Sequence, residues 1–291
     1  MRFDLELEQE TRGSAELMRL CSFETGTADE LRVMMRVLGY RGGEEELRLA
    51  QSYAVSEDPW DRRTAAELFG RLGLDDRAFP RESRQALENL LEDPHEAVVM
   101  EALLSLGYRE VQDLADLLRQ HEHDPRQGVR SYAALGMSGL EDLAVFPSLV
   151  RLAEDEDAAV RECALLGVST FDEIFPAEVE EILWRHLDDP AEIPRAECFE
   201  KLAGIFTVID EERDEEATRP KIERLVLRLL EEWRQHPIHS ATLDAAWQLG
   251  NRRLRRRLEE IRQQGQAANG ADDEAWEWLE QHLKDWEDER E

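Results

Sequence analysis

Apolar residues recur along this chain in paired runs at helical spacing, with short polar turns between them. The clearest unit covers residues 124–153. Val129, Ala133 and Leu135 mark one side of a first predicted helix, and Leu143, Phe146, Leu149, Val150 and Ala153 form the stripe of a second. Asp124 stands where a capping carboxylate accepts free amide hydrogens, and Pro125 suits a first turn. Gly136 and Gly139 mark the predicted helix end, where a left-handed residue favours glycine. Neither helix buries its stripe alone, so such units must stack.

The unit repeats. Arg-x-x-Ala occurs at Arg63/Ala66, Arg130/Ala133 and Arg161/Ala164, with Arg32/Met35 and Arg195/Cys198 as looser copies. Val99/Ala102 and Thr242/Ala245 keep only the small residue. The anchors 35, 66, 102, 133, 164, 198 and 245 are 31, 36, 31, 31, 34 and 47 residues apart. Such a period predicts an array of helix pairs. The long last interval holds the charged run 210–216.

The array is expected over residues 27–262, opened by a capping box at Thr27-x-x-Glu30. Residues 1–26 fall outside the repeat, and their predicted helix from Glu16 to Phe23 puts Leu17, Leu20 and Cys21 on one face as an N-terminal cap. Residues 263–291 read as a linker and a last helix. Its seam of Trp276, Leu279, Leu283 and Trp286 covers the final repeat or serves docking and self-association.

Asp-Pro-x-x-x-Val-Arg-x-x-Ala-x-x-Gly at 124–136, and the related Asp155, Val160, Arg161, Ala164 and Gly167, resemble the HEAT-repeat family in its short-repeat, phycobilisome-lyase-like subclass. The resemblance implies an all-α, right-handed α-solenoid of about seven HEAT-like helix pairs. It also implies a structural ladder between repeats, matched here by Asp124, Arg130, Asp155, Arg161, Asp189 and Arg195. Asp93 keeps the aspartate while Val99 replaces the arginine, so an interruption is expected there.

Composition narrows function more than fold. Hydrophobic residues make up 42% of the 291, enough for a continuous core, and the few aromatics disfavour a β-rich fold. The chain carries 36 basic and 67 acidic side chains, a net charge of −31. Phosphate binding needs a basic footprint, so neither nucleic acid nor an anionic membrane is an expected partner. A basic protein partner suits such a field. No apolar run approaches the ~20 residues of a membrane helix, and residues 1–8 lack a signal-peptide pattern, which points to the cytoplasm. Cys21, Cys163 and Cys198 are odd in number and far apart, against a disulfide framework.

The search for chemistry yields little. There is no phosphate loop, CxxC pair or nucleophile elbow, so neither catalysis nor a cofactor is expected. His121-Glu122-His123-Asp124 has metal-ligand types, but Asp124 is claimed by the turn and the two histidines diverge, leaving a solvated loop as the reading. His236 and His239 occupy a similar turn. Arg252–Arg257 is a dense basic run, read as an exposed helix face that also answers the acids at 210–216.

Helical phase separates two tryptophans. Trp233 shares a face with Ile222, Leu225, Val226 and Leu229, whereas Trp184 lies off the face of Val179, Ile182, Leu183 and Leu187. Leu227 is off-face at the matching level of its own helix. In HEAT solenoids this helix row resembles the concave lining. Trp184 and Leu227, with Glu181, Asp113, Asp116, Arg119 and Arg151, are therefore the expected partner-binding residues. Packing of Trp184 between repeats is the competing reading. The function expected is a non-enzymatic protein-binding scaffold or adaptor. An inhibitor of a basic enzyme such as a nuclease, and a bilin-lyase-like chromophore chaperone implied by the subclass, stand as alternatives.

Overall fold

The computed structural model describes residues 10–23, 26–73, 77–109, 113–140, 142–207, 215–236, 240–264, 275–277, 279 and 281. Among these the regular elements are α-helices and one 3-10 turn, with no strand. The chain divides into two compact units, residues 1–167 and 168–291.

In the first unit α1 (Ser14–Ser22) precedes the pairs α2 (Ala28–Arg41) with α3 (Glu44–Tyr53), and α4 (Pro59–Arg71) with α5 (Pro80–Leu90). These continue as α6 (Glu96–Tyr108) with α7 (Leu114–Arg119), and α8 (Gln127–Ser138) with the 3-10 turn Leu143–Val145 and α9 (Phe146–Leu152), followed by α10 (Ala158–Ser169). First helices stack on first helices, α2 on α4, α4 on α6 and α6 on α8, while α5, α7 and α9 pack against the first helix of their own pair. The second unit holds α11 (Pro176–His186), α12 (Glu192–Thr207), α13 (Glu215–Gln235), α14 (Ser240–Leu249) and α15 (Arg252–Gln264). There α12 packs on α14, and α13 contacts α12, α14 and α15.

Local chemistry explains the boundaries. Thr27 and Glu30 form a reciprocal capping box at the start of α2. Asp58 caps α4 by accepting from the Trp60 amide at 2.9 Å, with Pro59 in the first turn. Gly42 ends α2 at φ 42°, and a Cβ there would sit 2.5 Å from the amide nitrogen of Gly73. Gly73 N–H in turn donates to the Gly39 carbonyl at 2.9 Å, so this glycine contact joins two successive pairs.

The core runs through the small anchors: Met35, Ala66, Ala102, Ala133, Ala164, Cys198 and Ala245 are all buried. Trp233 is buried, its indole N–H donating to Thr242 at 2.9 Å. No helix among the described residues is long and apolar enough to cross a membrane.

Three local expectations are corrected. Asp124 does not cap α8, which starts three residues later; its carboxylate accepts from the Arg126 amide at 2.9 Å and shapes the turn itself. Gly136 lies inside α8, where a Cβ would meet Leu118 at 2.9 Å, and Gly139 ends the helix at φ −87° rather than in the left-handed region. On α1 it is Met18, with Leu17, that is fully buried, while Leu20 and Cys21 are half-buried.

Candidate functional site

The turns between helices are held by arginines with one shared geometry. Arg130 clasps Asp155 with Nε and Nη2 at 2.8 and 2.9 Å, while Nη1 donates to the Asp124 carbonyl at 2.9 Å. Arg161 donates to the carbonyls of Asp155 and Glu156 at 2.9 and 3.0 Å. In the second unit Arg195 donates to the carbonyls of Asp189 and Pro190 and to the Glu232 carboxylate at 3.1 Å. Buried Asp189 accepts from the Ala191 amide at 2.8 Å. Burial pushes the Asp155 carboxyl up, but the hydrogen bonds from Arg130 and the Asp157 amide outweigh it and hold the group below its usual range.

The same geometry recurs one residue away from the expected position. Arg62, not Arg63, donates to the carbonyls of Ser56 and Glu57 and clasps Asp93 at 2.6 and 3.0 Å. Arg63 turns elsewhere: its guanidinium lies 5.7 Å from the Trp60 ring centre and 3.7 Å from the Glu101 carboxylate. The repeat anchor of α4 is accordingly Ala65, also fully buried. Val99 is buried at the arginine position of α6, and Asp124 is instead clasped by Arg126 at 2.9 and 2.8 Å.

Beside this frame, α1, α2 and α4 border an open pocket of about 450 Å³ lined by Cys21, Leu31, Met35, Arg63 and Glu67 among others. Burial pushes the Cys21 thiol up to about 12, so it is protonated and a poor nucleophile at neutral pH. Glu101 on α6 is buried, and desolvation with the nearby Glu67 charge raises its carboxyl to about 7 against the pull of Arg63 and Arg71.

The expected partner-binding residues fall in both units. In the first, Asp113 is exposed at φ 65°, Asp116 and Arg119 form an exposed pair at 3.5 Å, and Arg151 binds Glu122 at 2.8 Å. In the second, Glu181 is exposed on α11, one turn before Trp184. Trp184 is half-buried. Its ring lies 6.1 Å from Phe206 of α12, its N–H donates to Glu180 at 3.1 Å, and Arg224 of α13 stacks 4.0 Å from its centre. The tryptophan therefore packs among three helices. Leu227, one turn beyond Arg224, is 53% exposed, although Leu225, Val226 and Leu229 of the same helix are buried. Helical phase alone gave no hint of the Arg224 stack, because it forms between helices some forty residues apart in sequence.

Other sequence candidates resolve locally. Arg253, Arg255, Arg256 and Arg257 pair with Glu223, Glu259 and Glu260. Of the charged run 210–216, residues 210–214 lie outside the described residues, as do Leu283, Trp286 and residues 237–239. Leu279 is buried and Trp276 half-buried. His121 and His123 sit near Asp124 and Glu122, and no set of three ligand-type side chains among the described residues converges on a metal position.

Comparison with known proteins places this geometry. The family model for HEAT repeats matches residues 47–137. The X-ray structure of YibA from Escherichia coli is similar in fold, at 19% identity, with 97% of this chain and 95% of that one covered and a TM-score of 0.58. An engineered protein aligns at 16% identity over 93% of this chain and 77% of that one, with a TM-score of 0.43. No curated protein matches the chain.

Proposed function

We propose, from the match of residues 47–137 to HEAT repeats, that the protein is a non-enzymatic scaffold or adaptor that binds another protein. The observation that carries the reading is on α13. Leu227 is 53% exposed on a helix whose Leu225, Val226, Leu229 and Trp233 are buried, beside a tryptophan and arginine already stacked in place. An aliphatic side chain next to a preset aromatic and arginine is the composition of an interface hot spot. The array at 27–262 supplies the body, and the segments before and after it act as caps. The net charge of −31 favours a partner with a basic surface, because the long-range field steers encounter.

Affinity capture with the full chain, followed by binding kinetics, tests the proposal. Glu181→Lys at the rim is expected to slow association and reduce its salt dependence, with little effect on dissociation. Leu227→Ala is expected to speed dissociation, costing about 2 kcal/mol if the side chain is desolvated on binding. A captured protein whose binding ignores both salt and Leu227, or the capture of none, rejects the proposal.

A further inference from the structure

We infer that the Trp184–Arg224–Leu227 surface receives a carboxylate of its partner, an aspartate or glutamate set beside an apolar side chain. The inference rests on the docking face proposed above and names what that face recognises.

Arg224 stands apart from its neighbours. Lys221 is answered by Glu180, Arg228 by Asp188 and Arg253 by Glu223. Arg224 is exposed, and no carboxylate among the described residues pairs with it. Exposed Arg219 and Arg252 also have no ion pair among the described residues; what sets Arg224 apart is the aromatic ring it lies on. Its interaction is instead with Trp184, over whose ring its guanidinium carbon lies 4.0 Å from the centre. Stacking leaves the N–H edge available, and that edge matches the two oxygens of a carboxylate.

The support beneath the arginine is rigid. The indole is fixed by its hydrogen bond to Glu180 at 3.1 Å and by Phe206, which is 5% exposed. Arg224 is therefore held before binding, which lowers the ordering entropy lost on contact. Leu227 is its neighbour at i+3 on the same helix surface, so one ligand segment can place an acid on Arg224 and an apolar group on Leu227. A polyanion fits the cation but not the surrounding charge of −31, whereas a single carboxylate within a basic partner satisfies both.

Short random peptides displayed on phage provide the probe, selected on the full chain. Enriched peptides are then synthesised and titrated calorimetrically against wild type, Arg224→Gln and Leu227→Ala. The enriched set is expected to share an aspartate or glutamate next to an apolar residue. Converting that acid to its amide, or Arg224 to Gln, is expected to weaken binding at least roughly tenfold, and the two changes together no further. Peptides without a common acid, or peptides that bind Arg224→Gln as well as wild type, overturn the inference. Binding that is lost with Leu227→Ala yet indifferent to Arg224 keeps the docking face and overturns the carboxylate. A selection enriching nothing that depends on either residue overturns both.

Discussion

Glu101 shows how far one side chain can depart from its surface behaviour. It is 7% exposed on α6, and burial together with the Glu67 charge raises its carboxyl from 4.5 to about 7. Below the unfolded value both states hold the proton, and the group does not tilt the folding equilibrium. Through the window from 4.5 to about 7 only the unfolded chain releases it, so its contribution to stability falls as pH rises. Above that window the native state carries a penalty of about 3 kcal/mol, from 1.36 kcal/mol per unit. Glu101→Gln keeps the volume and removes the titration. Urea melts of both proteins at a series of pH values are expected to show the variant more stable near pH 8 by up to about 3 kcal/mol. The difference should vanish near pH 4, below both pKa values. A difference that does not change with pH rejects this account.

The turn arginines belong to the scale of elements, because Arg62 and Arg130 each fasten one helix pair to the turn of the next. Arg62 and Asp93 have side-chain exposures of 15% and 7%, so removing the arginine strands a mostly buried carboxylate. Arg62→Ala is expected to cost about 3 kcal/mol or more. Asp58→Ala at the start of the same helix loses one exposed cap and should cost about 1 kcal/mol. Denaturant unfolding of the two variants separates them, and equal losses reject the clasp as the stronger element. The array of first helices was legible in sequence because a buried small residue every thirty or so positions leaves a periodic trace: all seven anchors are buried on first helices. The choice between Arg62 and Arg63 was not. In the other turns the aspartate precedes the arginine by six, as Asp124 does Arg130, whereas here Ser56 occupies that place and Asp58-Pro59 lies two residues later. Two adjacent arginines then satisfy the pattern equally, and only packing tells which reaches Asp93. Trp184 was legible as off the core face of its helix. Its stack under Arg224 was not, because side-chain placement across helices has no sequence period.

At the scale of the whole molecule, charge opposes folding and shapes binding with the same field. An excess of 31 negative charges repels itself in the compact state, and the repulsion acts over distances that salt screens. The Debye length falls from about 30 Å at 0.01 M to about 8 Å at 0.15 M. Exposed pairs such as Arg32–Asp29 lose little on screening because they contribute little, about 0 to 1 kcal/mol each. Clasped pairs such as Arg130–Asp155, with side chains 10% and 12% exposed, are largely shielded from mobile ions. Repulsion is therefore the term that salt changes most, and the melting temperature at neutral pH is expected to rise between 0.01 and 0.15 M sodium chloride. Calorimetric scans across that range check the sign, and a falling temperature would mean that surface pairs outweigh the repulsion. Association with a basic partner should respond in the opposite direction, slowing over the same range as steering is screened. Opposite responses of fold and encounter to one salt series separate this field from a nonspecific effect of salt, which would not reverse sign between them.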